Sequence, residues 1–144
     1  MAPVWALGLL DHLLMLVHLL VIGINVFGWM WARTRRLHRW TLLLTTLSWL
    51  GLGAFYGWGY CFLTDLHWSV KRELGERVLP HSFIQYVLHN KLGFNFPDAW
   101  VNNAAALVFL LLVLITAGQM LHGLWKRFRR IHGSEASGPG RVSD

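Results

Sequence analysis

Apolar residues occupy three long stretches of this chain, and polar or mixed segments separate them. The apolar stretches cover about residues 4–32, 40–60 and 104–125. Each is long enough to supply the roughly 20 apolar residues that a helix needs to cross a bilayer. The pattern therefore predicts an all-α integral membrane protein with three transmembrane helices.

Two shorter amphipathic patterns lie in the connecting segment 61–103. The first repeats apolar residues every four positions, at Leu66, Val70 and Leu74 before Gly75. The second has one apolar stripe that ends before Gly93 and consists of Phe83, Ile84, Val87 and Leu88. Short helices with one apolar face suit a membrane surface or the end of a bundle. We therefore expect two short amphipathic helices that form a cap on the extracytoplasmic side.

The distribution of charge sets the expected orientation. Only 14% of the residues are charged, against about 25% in soluble domains. The cations gather after the first and third apolar stretches, in two groups: Arg33, Arg35, Arg36 and Arg39, then Lys126, Arg127, Arg129, Arg130 and Arg141. Basic segments remain on the cytoplasmic side, which predicts an extracytoplasmic N-terminus and a cytoplasmic C-terminus. The net charge of +6 is explained by this topology, and no nucleic-acid recognition motif accompanies it.

The chain is expected to form one membrane domain over residues 1–132, followed by a tail. Residues 133–144 are small, polar and rich in glycine and proline. Such a composition cannot bury enough apolar surface to fold alone. We therefore predict a flexible cytoplasmic tail.

Polar residues recur every seven positions in the first apolar stretch, at Asp11, His18 and Asn25. Seven residues make nearly two helical turns, so these side chains share one face about 10 Å apart along the axis. Ionisable groups at such depth are expected to face the protein interior. The second stretch offers partners at Thr41, Thr45 and Ser48. We interpret the six residues as an interhelical hydrogen-bond network; the alternative is a proton relay or a cofactor ligand centred on His18.

Haem b is the cofactor that histidines in a small helical bundle suggest first. His18 lies fifteen residues before Arg33, whereas His122 lies four residues before Lys126. The difference of eleven residues corresponds to roughly 16 Å along the membrane normal, too far for one flat haem. We predict no cofactor, and two copies of His18 across a dimer axis, or a ligand from another subunit, remain the alternative.

No metal-binding or catalytic constellation accompanies these residues. The extracytoplasmic segment holds four potential ligands, Cys61, His67, His81 and His89, whose spacings match no metal motif. We found no nucleophile–base pair or phosphate-binding loop. The sequence therefore predicts no metal, no catalytic residue and no enzyme.

Glycines at the end of the second apolar stretch suggest close helix packing. Gly53 and Gly57 form a pair of small residues four positions apart, and Gly51 precedes them. Such pairs allow another helix to approach closely. Since three helices rarely cover all their own faces, we expect a homo-oligomer or a larger complex.

Four segments of the chain form a recognisable pattern: HLLVIGINVFGW from His18, RRLHRW around His38, CFLTDLHW from Cys61, and SFIQYVL. In these segments the chain resembles a family of small bacterial membrane proteins known as domain of unknown function 2784. It implies that His18, His38, Cys61 and Thr64 are positions of interest, and it supplies no activity. It also implies a bacterial protein, for which we expect the inner membrane.

The expected function follows from small size, contact glycines and the lack of catalytic groups. We predict a non-catalytic subunit or scaffold of a larger membrane complex, surrounded by lipids and bound to other subunits or to copies of itself. The alternative is a redox or proton-transfer protein centred on His18. A third possibility is a component of a transport assembly.

Overall fold

A computed structural model describes residues 3–57 and 59–135 of the chain, with side chains as far as residue 131. Every regular element in this part is helical, which confirms the all-α prediction. The α-helices are α1 (Val4–Phe27), α2 (Arg35–Thr46), α3 (Gly53–Tyr56), α4 (Phe62–Glu73), α5 (Phe83–Tyr86) and α6 (Asp98–Glu135). Two π-helical segments, Leu47–Leu52 and Val87–Lys91, follow α2 and α5.

Two helices of the described chain are long and apolar enough to cross a membrane. They are α1 and the stretch Asp98–Ile131 of α6, whose most apolar 18 residues have mean hydropathies of 2.2 and 2.4. The α6 helix begins after Pro97, whose carbonyl accepts the first backbone hydrogen bonds, and Asp98 lies in its first turn. Proline and a carboxylate at these positions both favour a helix start.

The second predicted span is not one α-helix, so the structure has two helices of spanning length where the pattern predicted three. Residues 35–56 are helical throughout but change from α to π at Leu47 and back to α at Gly53. Just before the change, the hydroxyls of Thr45 and Thr46 each donate to the carbonyl four residues earlier, at 2.8 Å. Such bonds compete with the helix ladder and bend helices, and composition alone does not reveal them.

The turn between α1 and α2 brings the two helices together as an antiparallel pair. Asn25 donates to the Thr45 hydroxyl over 2.9 Å. At the turn, a Cβ atom on Gly28 would lie 2.9 Å from the Cβ of His38. Only glycine therefore permits the observed approach of α2 to the end of α1.

The two predicted amphipathic helices are present. The first is α4, and the second is α5 with the π segment Val87–Lys91. Their ends are followed by Gly75 and Gly93, with φ angles of 94° and 74°, a left-handed conformation that favours glycine. Together we call residues 61–93 the cap.

The cap does not lie flat across the end of the bundle. Cys61, at the start of α4, contacts His18, and His67, two turns later, contacts Asp11. The α4 helix thus runs antiparallel to the first half of α1. The main apolar core lies here and consists of Trp68, Phe83 and Tyr86, packed on Met15 and Ile22 among others.

The end of the domain near residue 132 differs from the expected tail boundary. The α6 helix continues to Glu135, so the first residues of the predicted flexible tail are helical. Residues 136–144 lie outside the described residues.

Candidate functional site

A large groove opens between α1, the helical run 41–56 and the cap. Its volume is about 1280 Å³. Charged and polar side chains form its rim, among them Asp65, Arg72, Arg77 and His81. Its wall holds His18, Ser48, Cys61 and Thr64, and its inner end holds Asn25 and Thr45 among apolar residues. We call this cavity the cap groove.

His18 is the most buried histidine of the groove wall, with 5% of its surface exposed. Its ring stacks on Phe83, with centroids 3.8 Å apart and planes inclined by 7°. Its Nε2 atom lies 3.8 Å from the Sγ atom of Cys61. We expected Thr45 and Ser48 to face His18; the cap faces it instead, because α4 packs along α1.

Asp11 takes part in an ion cluster with the cap. Its Oδ1 atom lies 2.7 Å from Nε2 of His67 and 3.2 Å from Nζ of Lys71. Lys71 also contacts Glu76 at 2.9 Å and lies 4.8 Å above the ring of Tyr86. His67 and Lys71 are 0% and 2% exposed. The cluster therefore fixes α4 to the first half of α1.

The pKa values assign the charges of this cluster. Burial lowers the pKa of His67 and outweighs its hydrogen bond to Asp11. Burial also opposes the charged form of Lys71, but hydrogen bonds to Tyr86, Glu76 and Asp11 raise its pKa above the usual value. At neutral pH His67 is thus uncharged and donates its Nε2 proton to Asp11, while Lys71 carries the balancing positive charge.

The six residues predicted as one hydrogen-bond network separate into different contacts. Asp11 and His18 bond to the cap, as described. Asn25 bonds to Thr45, and the Thr41 hydroxyl bonds to carbonyls of its own helix. Of the predicted network, the bond between Asn25 and Thr45 is present, whereas the cap supplies the partners of the outer two positions on α1.

Ser48 has a separate structural role at the start of α4. Its hydroxyl accepts the amide proton of Phe62 over 3.0 Å and donates to the Tyr60 carbonyl over 3.2 Å. It thereby caps α4 from a different helix, since no side chain of the Cys61 cap position does so. Thr64 is buried one residue before Asp65, in the first turn of α4.

His38 joins three helices. Its Nδ1 atom donates to the carbonyl of Ile24 in α1 over 3.1 Å. Its Nε2 atom is hydrogen-bonded to the hydroxyl of Thr116 in α6 over 2.9 Å. His38 is 1% exposed. This residue of the family pattern therefore has a structural role and holds α1, α2 and α6 together. The sequence did not indicate Thr116, because nothing in it marks one threonine in a long apolar helix.

The glycines predicted as helix contacts have different environments. Gly53 is buried. No atom outside its local backbone lies within 4 Å of a Cβ built on Gly51, and Gly57 ends α3 with a φ of 110°. Within the described chain the close helix approach occurs at Gly28, and contact of Gly51 or Gly57 with a helix of another chain stays a prediction.

The described residues contain no group of three or more histidine, cysteine or acidic side chains that could hold a metal ion. His18 and Cys61 supply two neighbouring ligand atoms, and one face of the His18 ring is covered by Phe83. Of the other predicted ligands, His81 and His89 are exposed, whereas His67 is buried.

Comparison with known proteins gave one match. No curated protein and no solved structure matched the chain. The model of one protein family matches residues 8–122, a region that runs from α1 through the cap into α6 and includes His18, His38, Cys61 and Thr64. The chain therefore belongs to the family described as Protein of Unknown function (DUF2784).

Proposed function

We propose that this chain is a small non-catalytic subunit or scaffold of an assembly in the bacterial inner membrane. The observation that carries the proposal is the exposure of α6. Only 11% of its most apolar window is buried within the chain. The remaining surface needs lipid or another protein, because exposed apolar faces of this size are unfavourable in water.

A polar side chain on α6 favours a protein partner over lipid alone. Gln119 is exposed within an apolar helix. An amide in contact with hydrocarbon leaves its hydrogen-bonding groups unsatisfied, whereas a neighbouring helix can satisfy them. Gly118 lies beside it, and a Cβ there would meet nothing within 4 Å. This part of α6 therefore suits contact with another helix.

The proposed topology has three spans, with the helical run 35–56 as the second. This run has 22 residues, from Arg35 to Tyr56, or roughly 33 Å at the rise of an α-helix. Its first five residues include the exposed cations Arg35, Arg36 and Arg39. Basic residues beside a span favour the cytoplasmic side, so the N-terminus and the cap lie outside.

Co-purification tests this function. We expect the tagged chain, extracted from native membranes in mild detergent, to migrate in native electrophoresis well above its monomer. Gln119→Leu is expected to weaken this association, and Leu114→Ala is the control, because Leu114 is also exposed on α6. A monomeric wild-type chain that retains no partner would contradict the proposal.

A second candidate function, redox or proton transfer at His18, is favoured by the imidazole–thiol contact with Cys61. A thiol beside an imidazole is a common arrangement for proton exchange and nucleophilic chemistry. This candidate predicts that His18→Gln abolishes a measurable activity while the helical content is unchanged. An absorption spectrum of the purified chain tests its haem form, and a colourless sample would exclude haem. A transport role requires further copies, because three helices enclose no pathway alone.

A further inference from the structure

We propose that the cap groove binds one anionic membrane phospholipid, with its phosphate at Arg72 and Arg77 and its acyl chains directed towards α6. The inference rests on the membrane location in the proposed function, but not on the identity of any protein partner. Its support comes from the charge of the rim, the size of the groove and the apolar path behind it.

The rim of the groove carries an excess of positive charge. Arg72 is 55% exposed and lies 3.9 Å from Asp65, whose other oxygen accepts a hydrogen bond from Tyr60. Arg77 is exposed and forms no ion pair within the described part of the chain. Two arginines against one carboxylate leave room for an anion. Guanidinium groups bind phosphate oxygens in bidentate geometry.

The size of the groove points to a lipid rather than a small soluble anion. Its volume of about 1280 Å³ exceeds the roughly 300–1,000 Å³ of pockets that hold small molecules. A phosphate at the rim would leave most of this volume unfilled. A ligand with long hydrocarbon chains would fill it and bury apolar surface.

An apolar path leads from the groove to α6. A second cavity of about 460 Å³ lies against α6 and shares six lining residues with the groove: Ile22, Asn25, Thr45, Trp49, Ile84 and Ala105. The second cavity is otherwise lined by apolar residues such as Val108 and Leu112. The two cavities together thus present charge at one end and hydrocarbon at the other, as an anionic phospholipid does.

The single cysteine of the chain provides a local readout, because Cys61 lies in the groove wall. The purified full chain in a nonionic detergent would be titrated with dioleoyl phosphatidylglycerol or dioleoyl phosphatidylcholine. The rate of Cys61 labelling by N-ethylmaleimide and the number of lipids retained in native mass spectrometry would be measured. We expect the anionic lipid to slow labelling and to bind one per chain, and the zwitterionic lipid to do so much less.

Arginine variants distinguish binding of the lipid headgroup at the rim from nonspecific covering of the chain by lipid. Arg72→Gln and Arg77→Gln are each expected to weaken phosphatidylglycerol binding about fivefold, as for one arginine near an anionic headgroup. Both side chains are exposed, so the variants should fold, which circular dichroism verifies. Arg127→Gln, on the exposed far part of α6, is the control and should bind as the wild type does.

Three results would overturn the inference. They are equal protection by both lipids, unchanged binding by Arg72→Gln and Arg77→Gln, and equal protection by water-soluble glycerol 3-phosphate. The last result would indicate a simple anion site. Because the assay uses the purified chain, these results are independent of whether native membranes yield a partner complex.

Discussion

The imidazole ring of His18 lies flat on the phenyl ring of Phe83, with their centroids 3.8 Å apart. This contact connects the middle of α1 with α5. Phe83 also contacts the rings of His67 and Trp68, so one side chain links α1, α4 and α5. The position of the groove wall therefore depends on Phe83.

Replacement of Phe83 by alanine should destabilise the cap. Phe83 is 3% exposed, and truncation of a buried phenylalanine costs about 3–5 kcal/mol of unfolding free energy. We expect a lower unfolding temperature in detergent and faster labelling of Cys61. Phe62→Ala is the control, because Phe62 is 59% exposed. Equal stability of the two variants would show that Phe83 does not hold the cap.

Replacement of Asp11 by asparagine should leave the buried Lys71 ammonium without its partner on α1. Breaking a buried pair costs about 3–5 kcal/mol, and we expect the lower end because Asp11 is 16% exposed. Denaturant unfolding of the variant measures this cost. In the double variant Asp11→Asn with Lys71→Met, the uncompensated charge is absent. The double variant should therefore be more stable than Asp11→Asn alone, and a strictly additive loss would contradict a direct interaction.

The buried, neutral His67 predicts loss of stability in acid. Because its folded-state pKa lies below the usual 6.5, the unfolded chain takes up a proton near that pH while the folded chain does not. Stability is therefore present above about pH 6.5 and falls as the pH decreases below it. We expect His67→Gln to reduce the difference between unfolding temperatures at pH 7.5 and pH 5. The exposed His81, replaced by glutamine, should leave that difference unchanged.

The charged Lys71 predicts loss of folding stability at high pH. Its pKa in the folded chain lies above the usual 10.5, so its contribution is complete below that pH. It is lost as the pH rises through the folded-state value. Thermal unfolding between pH 7 and 11 should show a wild-type plateau that ends above about pH 10.5 and is followed by a fall, and Lys71→Met should lose less stability over that final rise because it lacks this contribution. A wild-type plateau that ends below pH 10 would contradict this assignment.

Gly28→Ala should separate α1 from α2. The added Cβ would meet the carbonyl oxygen of Ile24 and lie 2.9 Å from the Cβ of His38, and overpacking of this kind costs about 1–3 kcal/mol. Gly23→Ala is the matched control, since a Cβ there meets nothing within 4 Å and alanine favours the helix. We expect only Gly28→Ala to lower the unfolding temperature. Equal effects would show that His38 does not pack closely against the turn.

The proposed topology predicts which side of the membrane each segment faces. In a Cys61→Ser background, we expect Val78→Cys to react with an impermeant maleimide in intact cells. Val78 is 92% exposed in the cap. Arg36→Cys, in the exposed first turn of α2, should react only after the inner membrane is made permeable. The reverse pattern would invert the orientation.

Local sequence patterns predicted the helices well. Four-residue apolar spacing predicted α4 and the helical segment from Phe83, and Gly75 and Gly93 marked their ends. These signals are local, because backbone conformation near a glycine and a single apolar face depend on neighbouring residues. The change from α to π at Leu47 was missed, and no local pattern in the sequence marks it.

The partners of the buried polar residues could not be predicted in the same way. Spacing correctly placed Asp11, His18 and Asn25 on α1, but Thr45, which we expected to face His18, bonds to Asn25. The partners of the other two, Cys61 and His67, come from more than forty residues further along the chain. Their contacts require α4 to run antiparallel to α1, which no local pattern encodes.

The sequence by itself determined an all-helical chain, the two amphipathic segments of the cap and membership of a family, but it predicted three spanning helices where the structure has two. Hydrophobic periodicity and side-chain chemistry act over a few residues and can be read along the chain. Only the tertiary structure decided that His18 faces Cys61 and Phe83, that Asp11 pairs with His67 and Lys71, and that a charged rim opens into an apolar groove. These features arise from packing between distant segments, where burial and the available partners select one arrangement.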